Sequence, residues 1–424
     1  MRTIPARNGH SPRLWMMAAM LLAVVGLLWT FVPLNLVEAS GQNASSTAIA
    51  PLKPWFVPVP EIVAPEADSI PLDRYIETQL AKAHMPGLSA AIVKNGQIVW
   101  SGAYGYSRVN AQEPVTSDTL FELASVSKTV IATAVMQVWE NGLLDLDADI
   151  NLYLPFQVIN PHFPDVPITT RMLMTHTSSI NDVDLIYVRE YRLGDPTIPL
   201  GIFLEDYLTP GGQYYDPDGN YSQAAPGTVW DYSNIGASLA AYLVETITGI
   251  PFDEYCKTKI FQPLGMTETS YRFADLDTSH IAMPYGYNDH SGRYYPYGFY
   301  GCPIYPAGWV ITSALQLARH LISFIQYGEV DGVRILRPET LEEMRRIQYP
   351  DVSSTFGLLW YYKTLHSWEL MGHNGGNNGV STEMFFRPED GVGVILLMNG
   401  NWTQQNLHII YAVETRLFIE AEKY

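Results

Sequence analysis

The sequence predicts an α+β fold: an antiparallel sheet flanked by helices and built from both ends of the chain, plus a mostly helical subdomain between them. Three observations lead there. Strand-like runs lie near one end at 88–107 and again over 356–398. Between them, apolar residues recur at helical spacing, as over 127–141 and 234–249. The run 392–398, VGVILLM, is nearly all apolar and reads as a central strand. Strands at both ends with helices segregated between them are the pattern of an α+β domain.

The elements follow in order. Arg2, Arg7 and Arg13 precede the apolar run LWMMAAMLLAVVGLLW at 14–29, which continues more softly to residue 37. Val37-Glu38-Ala39 resembles a small-residue cleavage site, so 1–39 reads as a signal peptide. The stretch 14–37, about 24 residues, is also long enough to span a bilayer as an uncleaved anchor. Both readings remain open, and both place the body outside the cytoplasm: secreted, periplasmic or membrane-anchored. Residues 40–70, rich in Ser, Ala and Pro, read as a linker.

The folded domain is expected over 71–424, with a sheet part of about 71–120 and 305–424 and a helical part of about 121–304. A helix over Leu72–Ala83 is expected to end near Pro86-Gly87. LSAAIVKNGQIVWSGAYGYS then gives two strands around Asn95-Gly96, a strong two-residue hairpin signal. The helix over 127–141 closes at Asn141-Gly142. Short helices are expected over 168–175, 234–249 and 251–260. The stretch 177–231, full of Pro, Gly, Asp and Tyr, is long for a structureless loop and either serves a function or conceals short elements. A helix over 314–325, strands over 356–362, 368–371, 379–386 and 392–398, and a helix over 404–420 complete the chain.

Composition narrows the function. The 424 residues are 47% hydrophobic and 16% charged, as in a folded protein with a sizeable core. The net charge is −18, and the first 39 residues are themselves net basic, so the body is more acidic still. Such a body is repelled by phosphate backbones, which argues against nucleic-acid partners. The two cysteines, Cys256 and Cys302, allow a disulfide in an exported protein or two separate buried thiols, and they make a zinc site improbable. Sequons begin at Asn43, Asn220 and Asn401 and matter only in a glycosylating host.

Three motifs carry candidate chemistry. Ser125 stands three residues before Lys128 at the start of a helix, so the two share one face. A serine nucleophile needs an adjacent base, and a lysine serves if burial or neighbours lower its pKa. The same pair also fits a helix-capping serine with a solvated lysine. Tyr232-Ser233-Asn234 enters a later helix. Tyr232 is either a packed amphipathic side chain or a proton shuttle, and Asn234 either a cap or a binding amide. His373-Asn374-Gly375-Gly376 sits between two expected strands, where glycines mark a bulge, a hairpin or a close approach to a ligand. His176 reads as a structural residue holding the loop toward Tyr232. DPDGN at 216–220 reads as a turn. The tyrosines of 285–306 either line a cleft or form a packed hairpin.

In this order, the motifs resemble the penicillin-recognising serine hydrolases, in particular the class C β-lactamase and D-alanyl-D-alanine carboxypeptidase branch. Their elements are S-x-x-K, Y-x-N and K-T-G or H-x-G. The flanks ITTRMLMTHTSSI (168–180), IFQPLGMTETSY (260–271) and AGWVITSALQLARHL (307–321) are similar to the family too, and the likeness spans roughly 70–421. The resemblance implies a β-lactamase/transpeptidase-like fold and acyl-enzyme catalysis without a cofactor. It makes Ser125 the nucleophile and Lys128 and Tyr232 its base and acid. Asn234, His373, Asn374, Gly375 and Gly376 would bind substrate, with the N–H groups of Ser125 and Gly376 as oxyanion hole. The expected substrate is a small molecule or short peptide. His373 stands where β-lactamases of this class carry lysine. Histidine offers less charge at neutral pH, which weakens the β-lactamase reading; the resemblance to family members with H-x-G leaves carboxypeptidase, D-amino-acid peptidase and esterase chemistry open. A binding protein of the same fold that has lost turnover is the alternative of another kind.

Overall fold

A computed structural model describes residues 70–424. The leader and anchor readings for 1–39, almost the entire expected linker, and the sequon at Asn43 lie outside the described residues. Helix α1 (Leu72–Ala83) leads through Pro86 into strands β1 (Gly87–Lys94) and β2 (Gln97–Arg108), joined at Asn95-Gly96 as expected. Both turn residues have positive φ, 53° and 70°, which is the backbone a two-residue hairpin of this kind requires.

Seven strands form one sheet. After β3 (Glu113–Pro114), the remaining members come from the C-terminal end: β4 (Tyr361–Leu365), β5 (Trp368–Asn377), β6 (Val380–Phe386) and β7 (Gly393–Met398). Their order is β4-β5-β6-β7-β1-β2-β3, with every pairing antiparallel. The two ends of the chain meet where β1 pairs with β7, Leu88 opposite Met398 and Ile92 opposite Val394.

Helices cover both faces, and this explains why β7 is apolar throughout and β1 mostly so. Ala91, Val93, Ile395 and Leu397 belong to the core shared with α2 (Lys128–Glu140), α3 (Asn234–Thr248) and α4 (Ala314–Ile325). Ala90, Ile92, Val394 and Leu396 point the opposite way, into a second core with α1 and α5 (Leu407–Glu420). Successive strand residues face opposite sides, so a strand between two helical layers must be apolar at every position. Ser313 caps α4 by accepting from Gln316 N, and Ser233 caps α3 by accepting from Gly236 N. Among the described residues no single helix is long and apolar enough to cross a membrane.

Several local expectations need correction. The strand expected over 356–362 is displaced: Phe356 makes only an isolated bridge with Tyr361, and the strand runs Tyr361–Leu365. Strand β5 does not stop at residue 371 but continues to Asn377, so the HNGG segment lies within a strand and not between two. The long stretch 177–231 conceals helices Asp184–Arg189 and Leu200–Leu208. Helix Pro338–Arg345 had no counterpart in the sequence reading. Both cysteines are buried free thiols. The sequon residue Asn220 is fully buried, donating to Tyr207 O and Tyr214 O, so the folded chain offers it to no glycosyltransferase.

Candidate active site

The approach to Ser125 is strained. Ala124 has φ 45°, a left-handed conformation uncommon outside glycine. Strain of this kind concentrates at functional positions, held there by surrounding structure. A 3₁₀ turn, Ala124–Ser127, then runs into α2 at Lys128. Ser125 therefore sits in a 3₁₀ turn and not in the first turn of the α-helix. The difference matters because side chains three apart eclipse in a 3₁₀ turn. Lys128 Nζ donates to Ser125 Oγ at 3.0 Å.

Lys128 is completely buried. Its ammonium nitrogen makes two further bonds, to Asn234 Oδ1 at 2.7 Å and to Ala307 O at 2.8 Å. Burial lowers its pKa to about 7, with the Asp182 charge acting in the opposite direction. A substantial fraction is thus free amine at neutral pH, the condition for a lysine to act as a base. The alternative of a capping serine beside a solvated lysine does not survive this burial.

Tyr232 is buried beside the pair, with Lys128 Nζ 5.0 Å from its ring centroid. Burial pushes its phenol well above the ordinary value, while a hydrogen bond with Ser125 acts the other way. The phenol is therefore neutral. His176 packs on it, ring centroids 4.2 Å apart, and its Nδ1 accepts from Ser233 N at 3.1 Å. His176 holds the loop into Tyr232, as the sequence reading had it. Burial keeps its imidazole neutral.

Asp182 was missed. It lies in the stretch read as loop, two residues before the first concealed helix, and carries no motif signature. Its half-buried carboxylate accepts from Ser233 Oγ at 3.0 Å, Asn234 N at 2.8 Å, Asn234 Nδ2 at 2.9 Å and Ile235 N at 3.1 Å. Burial raises its pKa, and these four bonds oppose the rise. They sit at the N-terminus of α3, where free N–H groups and the helix dipole favour an anion. Because Nδ2 of Asn234 is committed to Asp182, Oδ1 must face Lys128.

Strand β5 forms the opposite wall. A Cβ added at Gly375 would meet Leu123 O at 2.5 Å and Ser125 N at 2.8 Å. The glycine reflects close approach of the Ser125 backbone. His373 lies on the same face; it is buried, and desolvation chiefly lowers its pKa to about 3, with Lys128 adding to the effect. Its Nδ1 is 2.5 Å from Asn374 O, and among the described residues its Nε2 has no hydrogen-bond partner. Asn374 requires correction. It stands in register with Glu383 and leaves the strand on the face opposite Gly375, so the structure does not bring it to Ser125. Asn377 does reach the site and was not singled out. It lines a small open pocket with Ser125, Asn234, Trp309 and Gly376. A larger open cleft elsewhere is lined by Arg345, Thr364 and Glu369.

A seven-stranded antiparallel sheet between helical layers, with Ser125, Lys128, Tyr232 and Asn234 gathered at its edge, defines a protein of β-lactamase/transpeptidase-like fold. The chain belongs to the Beta-lactamase family, whose model matches residues 72–410. It is similar to Protein flp of Staphylococcus aureus (strain N315), 25% identical over 334 residues, covering 78% of this chain. The chain spans only 63% of that relative's length. Among solved structures it is similar to the octameric penicillin-binding protein homologue from Pyrococcus abyssi. The TM-score is 0.64 at 25% identity, covering 82% of this chain and 77% of that one. The D-amino acid amidase of Ochrobactrum anthropi SV3 shares the fold with TM-score 0.65 at 22% identity, covering 82% and 99%.

Proposed function

We propose that this protein is an exported serine hydrolase that cleaves small peptide-like amides through an acyl-enzyme on Ser125. The observation that carries the reading is a buried, partly deprotonated Lys128 at 3.0 Å from Ser125 Oγ. Lys128 takes the hydroxyl proton as Ser125 Oγ bonds to the amide carbon. The oxyanion is held by the N–H groups of Ser125 and Gly376. The amide C–N bond then breaks, and the proton passes from Lys128, with the neutral Tyr232 phenol as relay, to the departing amine. Water attacks the ester by the same route reversed, releasing the acid and restoring Ser125. Asn234 holds both Lys128 and the acyl side of the substrate, and the β5 edge offers backbone groups to an extended substrate.

The basic and apolar N-terminal segment supports export, with residues 14–37 as leader or membrane attachment. The name of the structurally similar D-amino acid amidase agrees with small amides as substrates. The neutral His373 favours amides over carboxylate-bearing β-lactams, because it offers no charge to a substrate carboxylate. A carboxylesterase or a slow β-lactamase would use the same groups.

The test is intact mass spectrometry of the protein mixed with a penicillin, beside Ser125→Ala. A long-lived adduct confined to the wild type is the result expected of a peptidase-like site with slow deacylation. Drug consumption by the wild type without an adduct means β-lactamase turnover. If neither an adduct nor Ser125-dependent hydrolysis of amides or esters is seen, the chain is a binding protein and the proposal fails.

A further inference from the structure

The two N–H groups read as oxyanion donors come from different elements. Ser125 N belongs to the 3₁₀ turn Ala124–Ser127, and Gly376 N to the end of β5. Two such donors must both reach one oxygen at about 2.7–3.1 Å, so their separation matters. The sheet alone does not fix it. Strand β4 pairs with β5 only as far as Gly372, and beyond that point β6 is the one strand supporting β5.

Two side-chain bonds cross from the residues just before Ser125 to this region. Thr382 Oγ1, on β6, donates to Leu123 O at 2.7 Å. Asn377 Nδ2, on β5 itself, donates to Glu122 Oε1 at 2.7 Å. Asn377 follows Gly376 directly and lines the pocket beside Ser125, whereas Glu122 does not reach that pocket. The orientation of the Asn377 amide is set from its other end. Its Oδ1 accepts from Asn378 N at 2.9 Å and from Tyr191 OH at 3.5 Å, which turns Nδ2 to Glu122. On the opposite face Trp402 covers Gly376, where an added Cβ would stand 2.9 Å from the indole. Tyr300 OH donates to Asn378 O at 2.8 Å, and Gly379 N donates to Asn401 Oδ1 at 2.6 Å. The strand end is thus pressed from behind and tied from the Ser125 side by Glu122.

Glu122 is buried in the short strand Phe121–Glu122, and the acyl-transfer steps do not use it. Desolvation pushes its pKa up to about 8, with the Asn377 bond opposing. Burying a carboxyl group is costly, and an apolar side chain would pack there at less cost. What the position gains is an acceptor for Asn377. The acid and the carboxylate both accept from an amide N–H, so the tie holds in either form.

We propose that Glu122 is a positioning residue: through Asn377 it sets where Gly376 N stands relative to Ser125 N, without touching the substrate. The inference rests on the reading of Ser125 as the acylated residue and adds a support to its oxyanion hole.

The test titrates full-length protein with phenylboronic acid. Ser125 Oγ bonds to boron, Lys128 takes the hydroxyl proton, and boron becomes a tetrahedral anion with one oxygen where the oxyanion would lie. Glu122→Leu keeps most of the side-chain volume and removes the acceptor. It is expected to weaken the adduct about 10- to 100-fold, the scale of a small misplacement at a reacting centre. Glu122→Gln keeps an acceptor and is expected to stay within about threefold of wild type. Asn377→Ala cuts the same bond from the other end and is expected to lose at least as much as Glu122→Leu. The double variant is expected to lose no more than Asn377→Ala alone, because both act along one path. Thermal melting of each variant separates lost stability from lost affinity, and a Glu122→Leu protein that fails to fold leaves the decision to Asn377→Ala and Glu122→Gln. Wild-type affinity in Glu122→Leu or Asn377→Ala overturns the proposal, as does a Glu122→Gln protein weakened tenfold or an additive loss in the double variant. A wild type that forms no adduct, and acylates with no amide or ester, sinks the hydrolase reading and this inference with it.

Discussion

Lys128 and Asn234 are joined by the shortest of the lysine's three bonds, Nζ to Oδ1 at 2.7 Å, across 106 positions of sequence. Asn234 is in turn fixed by Asp182, which takes both its backbone N–H and its side-chain amide. The Lys128 amine is thus aimed at Ser125 from a second helix, and not by local helical spacing alone.

Lys128 sets the first prediction. With its pKa lowered to about 7 by burial, the reactive free amine grows as pH rises through that value. The rate of Ser125 acylation should therefore climb with pH and level off above about 8. Lys128→Arg keeps the charge and removes the base, and should slow acylation roughly 100- to 10,000-fold. Stopped-flow acylation across pH 5–9 checks both.

Histidine is the usual suspect for a limb near pH 7, but not here. His373 is held near pKa 3 by burial. In His373→Asn the midpoint of the acylation limb should stay where the wild type has it, whatever happens to the maximal rate. A limb that disappears or shifts by a full pH unit would mean that His373, and not Lys128, titrates.

Asp182 acts as a positioning residue. Its charge raises the Lys128 pKa, so Asp182→Asn should move the acylation limb to lower pH. Its four accepted bonds hold the start of α3, and weakening them should cost about 2 kcal/mol of stability. Denaturant unfolding and the pH profile together separate this role from a purely structural one, which would lower stability and leave the limb in place.

Gly375 admits no side chain. Gly375→Ala forces a methyl against Leu123 O and Ser125 N, displacing one proposed oxyanion donor. Acylation should fall roughly 100-fold, as it does when one such donor is lost. An alanine variant with wild-type acylation rates would remove Ser125 N from the mechanism.

The thiols are separate and buried, and burial raises both of their pKa values. Iodoacetamide should label neither cysteine in the native protein and both after unfolding, without prior reduction. Intact mass reads the outcome, and failure to label unfolded, unreduced protein would reveal a disulfide.

Local pattern made much of the scaffold legible. Asn95-Gly96 marked its hairpin, because few other residue pairs accept two successive left-handed conformations. The all-apolar β7 declared itself central, because both of its faces meet helices. The end of β5 was not legible. Its glycines read as a break, whereas they permit contact with Leu123 and Ser125, a constraint from another part of the chain.

By itself the sequence determined the chemistry on offer: a serine and lysine at eclipsing spacing, a tyrosine and asparagine opening a helix, and a histidine in place of a lysine. Spacing and residue type are local properties, and they hold in any fold that keeps the local backbone. Only the tertiary structure decided which of these groups is charged and which is joined to which. Burial lowers the pKa of Lys128, keeps His373 neutral and raises the pKa of Glu122. It also recruits Asp182, which no motif announced, to fix the direction of Asn234. Desolvation depends on everything packed around a group, and residues far apart in sequence supply that packing.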